Sequence, residues 1–258
     1  MKKILSIAGL DPSAGAGLLA DIRTFEAYGL YPLGVVSALT VQNTKGVFGV
    51  EAVDAKIVKE QILSLLEDIK IDSVKIGLIP NKEVAKAVEE GLGDFKGVVV
   101  LDTPLISSSG FKMVDEECIE ALKSLFKIST LITPNFKEAE RFAGFEINSL
   151  EDIKRAALRL REMGANAVLI TGGDFKDGAV DVLYDGEFEI FKKERIDSPN
   201  THGTGCIFSS AIASCLLEEK NLANCVREAK EFVYDAIRDG FGIGNGAGVL
   251  NIRSKYAR

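Results

Sequence analysis

The residues best suited to chemistry lie in one stretch, Asn200-Thr201-His202-Gly203-Thr204-Gly205-Cys206. A Gly-x-Gly turn runs directly into an apolar helical segment. Gly203, Thr204 and Gly205 can therefore turn backbone N–H groups into one concavity, and the helix from Cys206 adds its dipole. Such a turn is an anion site. His202 is the only histidine of the chain. Cys206 stands at the mouth of the helix, where a thiol is expected to ionise below its free value of about 8.5. Cys215 shares the stripe of Ile207, Phe208, Ala211, Ile212 and Leu216 and reads as core. The competing reading is a helix start whose glycines serve packing alone.

Three other segments carry candidate groups. Residues 8–17, AGLDPSAGAG, follow a strand and open a helix. Gly15-x-Gly17-x-x-Ala20 matches a dinucleotide fingerprint only loosely, because the turn is too long and no acid closes the second strand. A phosphate-binding Gly-x-x-x-x-Gly-Lys-Ser/Thr loop is absent. Asp21 shares the apolar face of Leu18 and Phe25, so it is either an acid near the positive helix end or a partner for a ligand hydroxyl or amine. Gln42 and Asn43 follow an apolar strand, where α/β crevices open. A glutamine amide can pair with an aminopyrimidine edge, and ordinary loop amides are the alternative. Asn135 and Glu138 have capping-box spacing. The same two residues suit a phosphate-bound Mg²⁺, and the two roles are compatible if the cap sits at the crevice.

These groups need a scaffold. Strand-like runs at 4–8, 32–39, 47–53, 73–76, 97–101, 130–132 and 167–170 alternate with helical patterns. A hairpin of 180–184 with 187–191 turns on Asp185-Gly186. After Asp54, residues Ile57, Val58, Gln61, Ile62, Leu65, Leu66 and Ile69 form a helical stripe. A second helix spans 149–163, with Ser149 as N-cap and Gly164 after its end. Helices at 204–219 and 222–239 follow. The alternation predicts an α/β fold, a mostly parallel sheet with helices on both faces. Without repeats or linkers, residues 1–258 read as one domain.

The chain has 258 residues, 47% of them apolar, which is ample for a large core. The apolar start is short, is broken by Asp11-Pro12 and reads as a strand, not a signal peptide. No run is long enough to span a membrane, so a cytoplasmic protein is expected. Four cysteines without a Cys-x-x-Cys pair fit reduced thiols and give no zinc cluster. A net charge of −7 speaks against nucleic acid as partner. A phosphate ligand must then be held by local dipoles and a metal ion.

Together the motifs AGLDPSAGAGLLADIRTF, SALTVQNTKGV, DSVKIGLI, VVVLDTP, LITPNFKEAE, ITGGD and NTHGTGC resemble the hydroxymethylpyrimidine and phosphomethylpyrimidine kinases of thiamine biosynthesis, in the ribokinase-like superfamily. They come in the family's order and cover the chain nearly end to end. The resemblance implies a three-layer αβα sandwich, often dimeric. It implies phosphoryl transfer from ATP, with Mg²⁺, to hydroxymethylpyrimidine and then to its monophosphate. By resemblance, Gly9, Asp21 and Gln42 hold the pyrimidine. Asp102, Asn135 and Glu138 place Mg²⁺ and the triphosphate, with Asp102 and Glu138 as the metal-side carboxylates. Thr171 lies on the nucleotide side. Gly203, Thr204, Gly205 and Cys206 form the anion hole, with Cys206 as base or as its cap.

Several positions depart from the family's pattern. Thr171-Gly172-Gly173-Asp174 stands where Lys-Gly-Gly-His is usual, and Ser108 replaces a lysine of the segment after Asp102. Ala14 replaces a common glycine, and Leu78 a frequent methionine. The alternatives are a pyridoxal kinase of the same fold and a non-catalytic pyrimidine-binding regulator.

Overall fold

Strands that are apolar at consecutive positions call for a sheet covered on both faces. The computed structural model describes residues 1–172, 179–219 and 221–252, and these build such a sheet. Its strands are β1 (Lys3–Leu10), β2 (Tyr31–Asn43), β3 (Gly46–Ala52), β4 (Ser73–Ile76), β5 (Val98–Leu101), β6 (Leu131–Ile132), β7 (Val168–Ile170), β8 (Ala179–Tyr184) and β9 (Phe188–Lys193). They lie in the order β3-β2-β1-β4-β5-β6-β7-β8-β9. The six from β2 to β7 in that order are parallel, and β3, β8 and β9 add antiparallel edges.

The helices are α1 (Gly17–Ala27), α2 (Ala55–Asp68), α3 (Lys82–Leu92), α4 (Glu116–Phe126), α5 (Phe136–Ala143), α6 (Leu150–Glu162), α7 (Thr204–Cys215) and α8 (Leu222–Arg238). Leu5, Ile7, Val74, Ile76, Val99 and Leu101 point to a core shared with α2 through α6. Ile4, Val100, Leu131 and Leu169 point the other way, to a core shared with α1, α7 and α8. The result is the three-layer αβα sandwich that the sequence implied. Ser149 caps α6 as expected, and Asp54 caps α2.

Two elements differ from the sequence reading. β2 runs on to Asn43 and pairs with β3, so Gln42 and Asn43 are strand residues of a hairpin and not a loop. The pairing of Gln42 with Val47 and Asn43 with Gly46 extends the ladder past the point where the apolar run stops. α7 ends at Cys215, short of the expected 219. The sequence reading also passed over α3 and α4. α3 buries Val84, Val88 and Leu92 along one face, with Ala85, Ala87 and Gly91 beside them. No helix among the described residues is long and apolar enough to cross a membrane.

Candidate active site

The parallel strands open at one edge of the sheet, where their carboxyl ends deliver Gly9, Gly77, Asp102, Thr133 and Thr171. The N-terminus of α7 points to the same edge. Gly203 is its N-cap, with φ of +91°. A Cβ there would overlap the Gly15 carbonyl oxygen, so the two glycine-rich turns interlock backbone to backbone. A Cβ on Gly17, with φ of +58°, would likewise come within 2.3 Å of the Gly9 carbonyl oxygen. Ala14 also takes positive φ, +60°, in a turn position that suits glycine. Gly205 faces open space, and its N–H and that of Cys206 have no preceding helical carbonyl to use. The expected concavity of donors at Gly203, Thr204 and Gly205 is therefore open on one side and braced on the other. The Thr204 N–H is the exception, because it donates to the Thr201 carbonyl at 3.3 Å.

Behind this turn lies a buried charge network. Lys75, on β4, is fully buried and contacts Asp21 Oδ1 at 2.9 Å and Oδ2 at 3.0 Å. Ser6 donates to Asp21 Oδ2 at 2.6 Å and Ser210 to Oδ1 at 2.7 Å. All of Asp21's acceptor capacity is thus taken inside the protein. This corrects the expectation that Asp21 itself holds the pyrimidine: it anchors Lys75 instead. Lys75 Nζ also lies 3.9 Å from Asp102 Oδ2. Burial pulls the lysine pKa down, but Asp21, with Asp102 beyond it, more than offsets this, so the ammonium is held charged.

Asp102 follows β5 and accepts from Ser209 Oγ at 3.3 Å. Burial raises its pKa, Lys75 opposes the rise and Asp21 adds to it. Asn135 and Glu138 form the predicted capping box at the start of α5. Glu138 Oε2 accepts from the Asn135 N–H at 2.9 Å, and Oε1 from the Leu105 N–H at 3.3 Å. Burial, with Asp102 nearby, pushes the Glu138 carboxyl up to about 8. Two adjacent buried carboxyls with raised pKa values are short of positive charge. Their oxygen donors fit a hard divalent cation that keeps water and takes its other ligands from phosphate. Among the described residues no cluster of three or more His, Cys, Asp or Glu forms an all-protein cage.

Thr171 meets this region through its backbone: its N–H donates to Pro134 O at 2.9 Å and its carbonyl accepts from Phe136 N at 3.1 Å. It clamps the turn that holds Asn135. Gly173 and Asp174 lie outside the described residues. Ser108 is exposed in the loop after Asp102, and its neighbour Ser109 accepts from the Val47 N–H at 3.2 Å. Gly9 is buried under Leu78, where a Cβ would come within 2.9 Å of Leu78 Cδ2. Gln42 is half-buried, beside Thr40 and His202.

Cys206 departs from expectation. It is half-buried, and Gly17 N–H donates to its sulfur. Burial pushes the thiol up to about 12; Lys75 pulls against this while Asp102 and Asp21 add to it. Burial, helped by the two acids behind the turn, keeps Cys206 a thiol at neutral pH. All four cysteines are free.

The sequence reading missed Lys75 and Asp11. A lone lysine in the buried strand Ser73–Ile76 demands an internal partner, and Asp21 on an apolar helix face was the available acid. Asp11 accepts from the N–H groups of Ser13 and Ala16 at 2.8 and 3.0 Å and contacts His202 Nε2 at 2.8 Å. It ties the first turn to the second.

A parallel sheet with an anion-binding helix start and convergent carboxyls at its carboxyl edge defines a small-molecule phosphotransferase of the ribokinase-like fold. The family model for phosphomethylpyrimidine kinase matches residues 11–251, and the chain belongs to that family. It is 45% identical to the hydroxymethylpyrimidine/phosphomethylpyrimidine kinase of Aquifex aeolicus, over 96% of this chain and 98% of that one. The solved phosphomethylpyrimidine kinase of Clostridium difficile 630 is 36% identical, with a TM-score of 0.81, over 92% of this chain and 100% of that one. The ADP complex of Bacillus subtilis pyridoxal kinase is 30% identical, with a TM-score of 0.90, over the whole of both chains.

Proposed function

We propose that this kinase transfers the γ-phosphoryl group of ATP to the primary hydroxyl of 4-amino-5-hydroxymethyl-2-methylpyrimidine and then to the resulting monophosphate, in thiamine biosynthesis. The observation that carries the reading is the junction of Gly15 with Gly203, which seats the start of α7 so that its Ser209 reaches Asp102 at 3.3 Å. Phosphoryl transfer depends mainly on positioning and charge stabilisation, which such a junction supplies. Asp102 and Glu138 would hold Mg²⁺, which would supply neutralisation of charge on the phosphates. Asn135 and Thr171 keep Glu138 in place, Gly9 and Gln42 line the pyrimidine, and the Gly203–Cys206 turn receives the transferring group. Cys206 completes that turn as a thiol. Lys75 keeps a fixed positive charge behind the acids.

The ADP complex of the Bacillus subtilis relative supports a nucleotide donor. That relative also supports a second substrate, pyridoxal, which offers a primary hydroxyl on a flat ring. Leu39, Val41 and Phe48 are exposed on the edge hairpin of β2 and β3, which supports a homodimer. A cytoplasmic location suits the free thiols.

The experiment is incubation with Mg·ATP and, separately, the pyrimidine alcohol, its monophosphate and pyridoxal, with products quantified by mass. Phosphorylation of the first two is expected. Turnover of pyridoxal in preference to both overturns the assignment.

A further inference from the structure

His202 packs on Gly15, where a Cβ has no room, and its backbone N–H donates to Gly248 O at 3.1 Å. Its Nε2 is 2.8 Å from Asp11 Oδ2 and 3.3 Å from Gln42 Nε2. The carboxamide has two orientations of nearly the same shape. The hydrogens around it choose between them.

Asp11 already accepts from Ser13 N at 2.8 Å, Ser13 Oγ at 2.8 Å and Ala16 N at 3.0 Å. Burial raises its carboxyl pKa, but hydrogen bonds from His202 and Ser13 override this and hold it below the ordinary value. It only accepts at neutral pH, so Nε2 of His202 carries its hydrogen toward it. An Nε2 that carries a hydrogen cannot accept from a Gln42 N–H. On the other side, Thr40 Oγ1 is 2.9 Å from the Leu10 carbonyl, which also only accepts. The single hydroxyl hydrogen is used there. Thr40 Oγ1 lies 3.1 Å from Gln42 Oε1, and with its hydrogen on Leu10 it can only accept there, which calls for the amide turned over so that NH₂ takes that place. Both neighbours impose the same orientation, with the Gln42 oxygen toward His202 and its NH₂ toward Thr40.

We infer that His202 is a positioning residue for substrate choice: the Asp11–His202 and Thr40–Leu10 pairs lock the Gln42 amide so that it shows one lone pair and one N–H in fixed register. That register matches a 4-aminopyrimidine edge, in which the amino group donates and the adjacent ring nitrogen accepts. A reversed amide sets donor against donor. The inference rests on the reading that Gln42 faces the pyrimidine.

Two measurements test it. With one histidine in the chain, ¹⁵N NMR of the ligand-free protein at pH 8 reads its tautomer without assignment. The Nε2–H form is expected, and a bare Nε2 overturns the inference. The second is kcat/KM for the aminopyrimidine alcohol relative to 5-hydroxymethyl-2-methylpyrimidine, which lacks the amino group. His202→Phe is expected to lower this preference about tenfold or more. His202→Gln, whose terminal amide can donate from the place of Nε2, retains it. A structural role alone lowers both substrates together, and an unchanged preference in His202→Phe overturns the inference. Should that variant fail to fold, loss of preference in His202→Gln together with a bare Nε2 does so. Gln42→Ala separates the two layers. If it loses the preference while His202→Phe keeps it, only the role of His202 falls; if it keeps the preference, the pyrimidine assignment of Gln42 falls and takes the inference with it.

Discussion

Gly203 and Gly15 meet backbone to backbone, leaving no room for a side chain on Gly203. Gly203→Ala therefore combines a positive-φ penalty with a direct overlap, and is expected to cost about 2–5 kcal/mol and to abolish transfer. Gly205→Ala meets nothing within 4 Å, so its stability should stay within about 0.5 kcal/mol while its KM for ATP rises. Urea unfolding and steady-state kinetics on both variants check the contrast. Equal stability of the two variants would count against the interlocked turns.

Lys75 and Asp21 are mutually dependent inside the sheet. Lys75→Met leaves a buried carboxyl without its cation, and about 3–5 kcal/mol of stability should be lost. Replacing both, with Asp21→Asn, should recover part of it. A double-mutant cycle reads the coupling, and additive losses would show that the pair is not energetically linked.

Glu138 gives stability a pH dependence of unusual sign. Its carboxyl sits at about 8 when folded, against an ordinary value of 4.5. The folded state therefore holds the proton more tightly. This stabilisation is complete below about pH 4.5 and is lost as pH rises through about 8. The melting temperature of the ligand-free protein should fall between about pH 5 and about pH 9. Glu138→Gln should flatten the fall, and Mg·ATP should reduce it. A melting profile that rises over this range would contradict the burial of Glu138.

Cys206 should not behave as a base, because its thiol is pushed up to about 12. Cys206→Ser keeps a small donor at the turn and should hold kcat within about tenfold, with the pH profile unmoved. Cys206→Ala should lose more. A kcat–pH step near neutrality that disappears in Cys206→Ser would restore the thiolate role.

Much of this was legible in the sequence, for identifiable reasons. Most strands are short and apolar, the caps at Asn135 and Ser149 have fixed spacing, and the glycine turns sit directly between elements. The class of site followed from one turn, Gly203–Cys206. What sequence spacing could not supply was the environment across the sheet. Cys206 has a helix dipole in front of it, and the acids Asp102 and Asp21 behind it come from other strands and helices. Asp21 shows an inward carboxylate in sequence, but that it binds Lys75 depends on β1 and β4 lying side by side. The extension of β2 through Gln42 was hidden because its polar end is held by β3 and not by core packing.

The contact of Asp11 with His202 joins positions 191 residues apart, and that of Asp21 with Ser210 joins positions 189 apart. Closing loops of that length costs entropy before any contact repays it. The sheet can pair locally through β4 to β7, yet the catalytic edge is finished only when α7 docks across α1. Competence for phosphoryl transfer therefore requires the most distant segments of the chain to have met, and activity doubles as a readout of that closure.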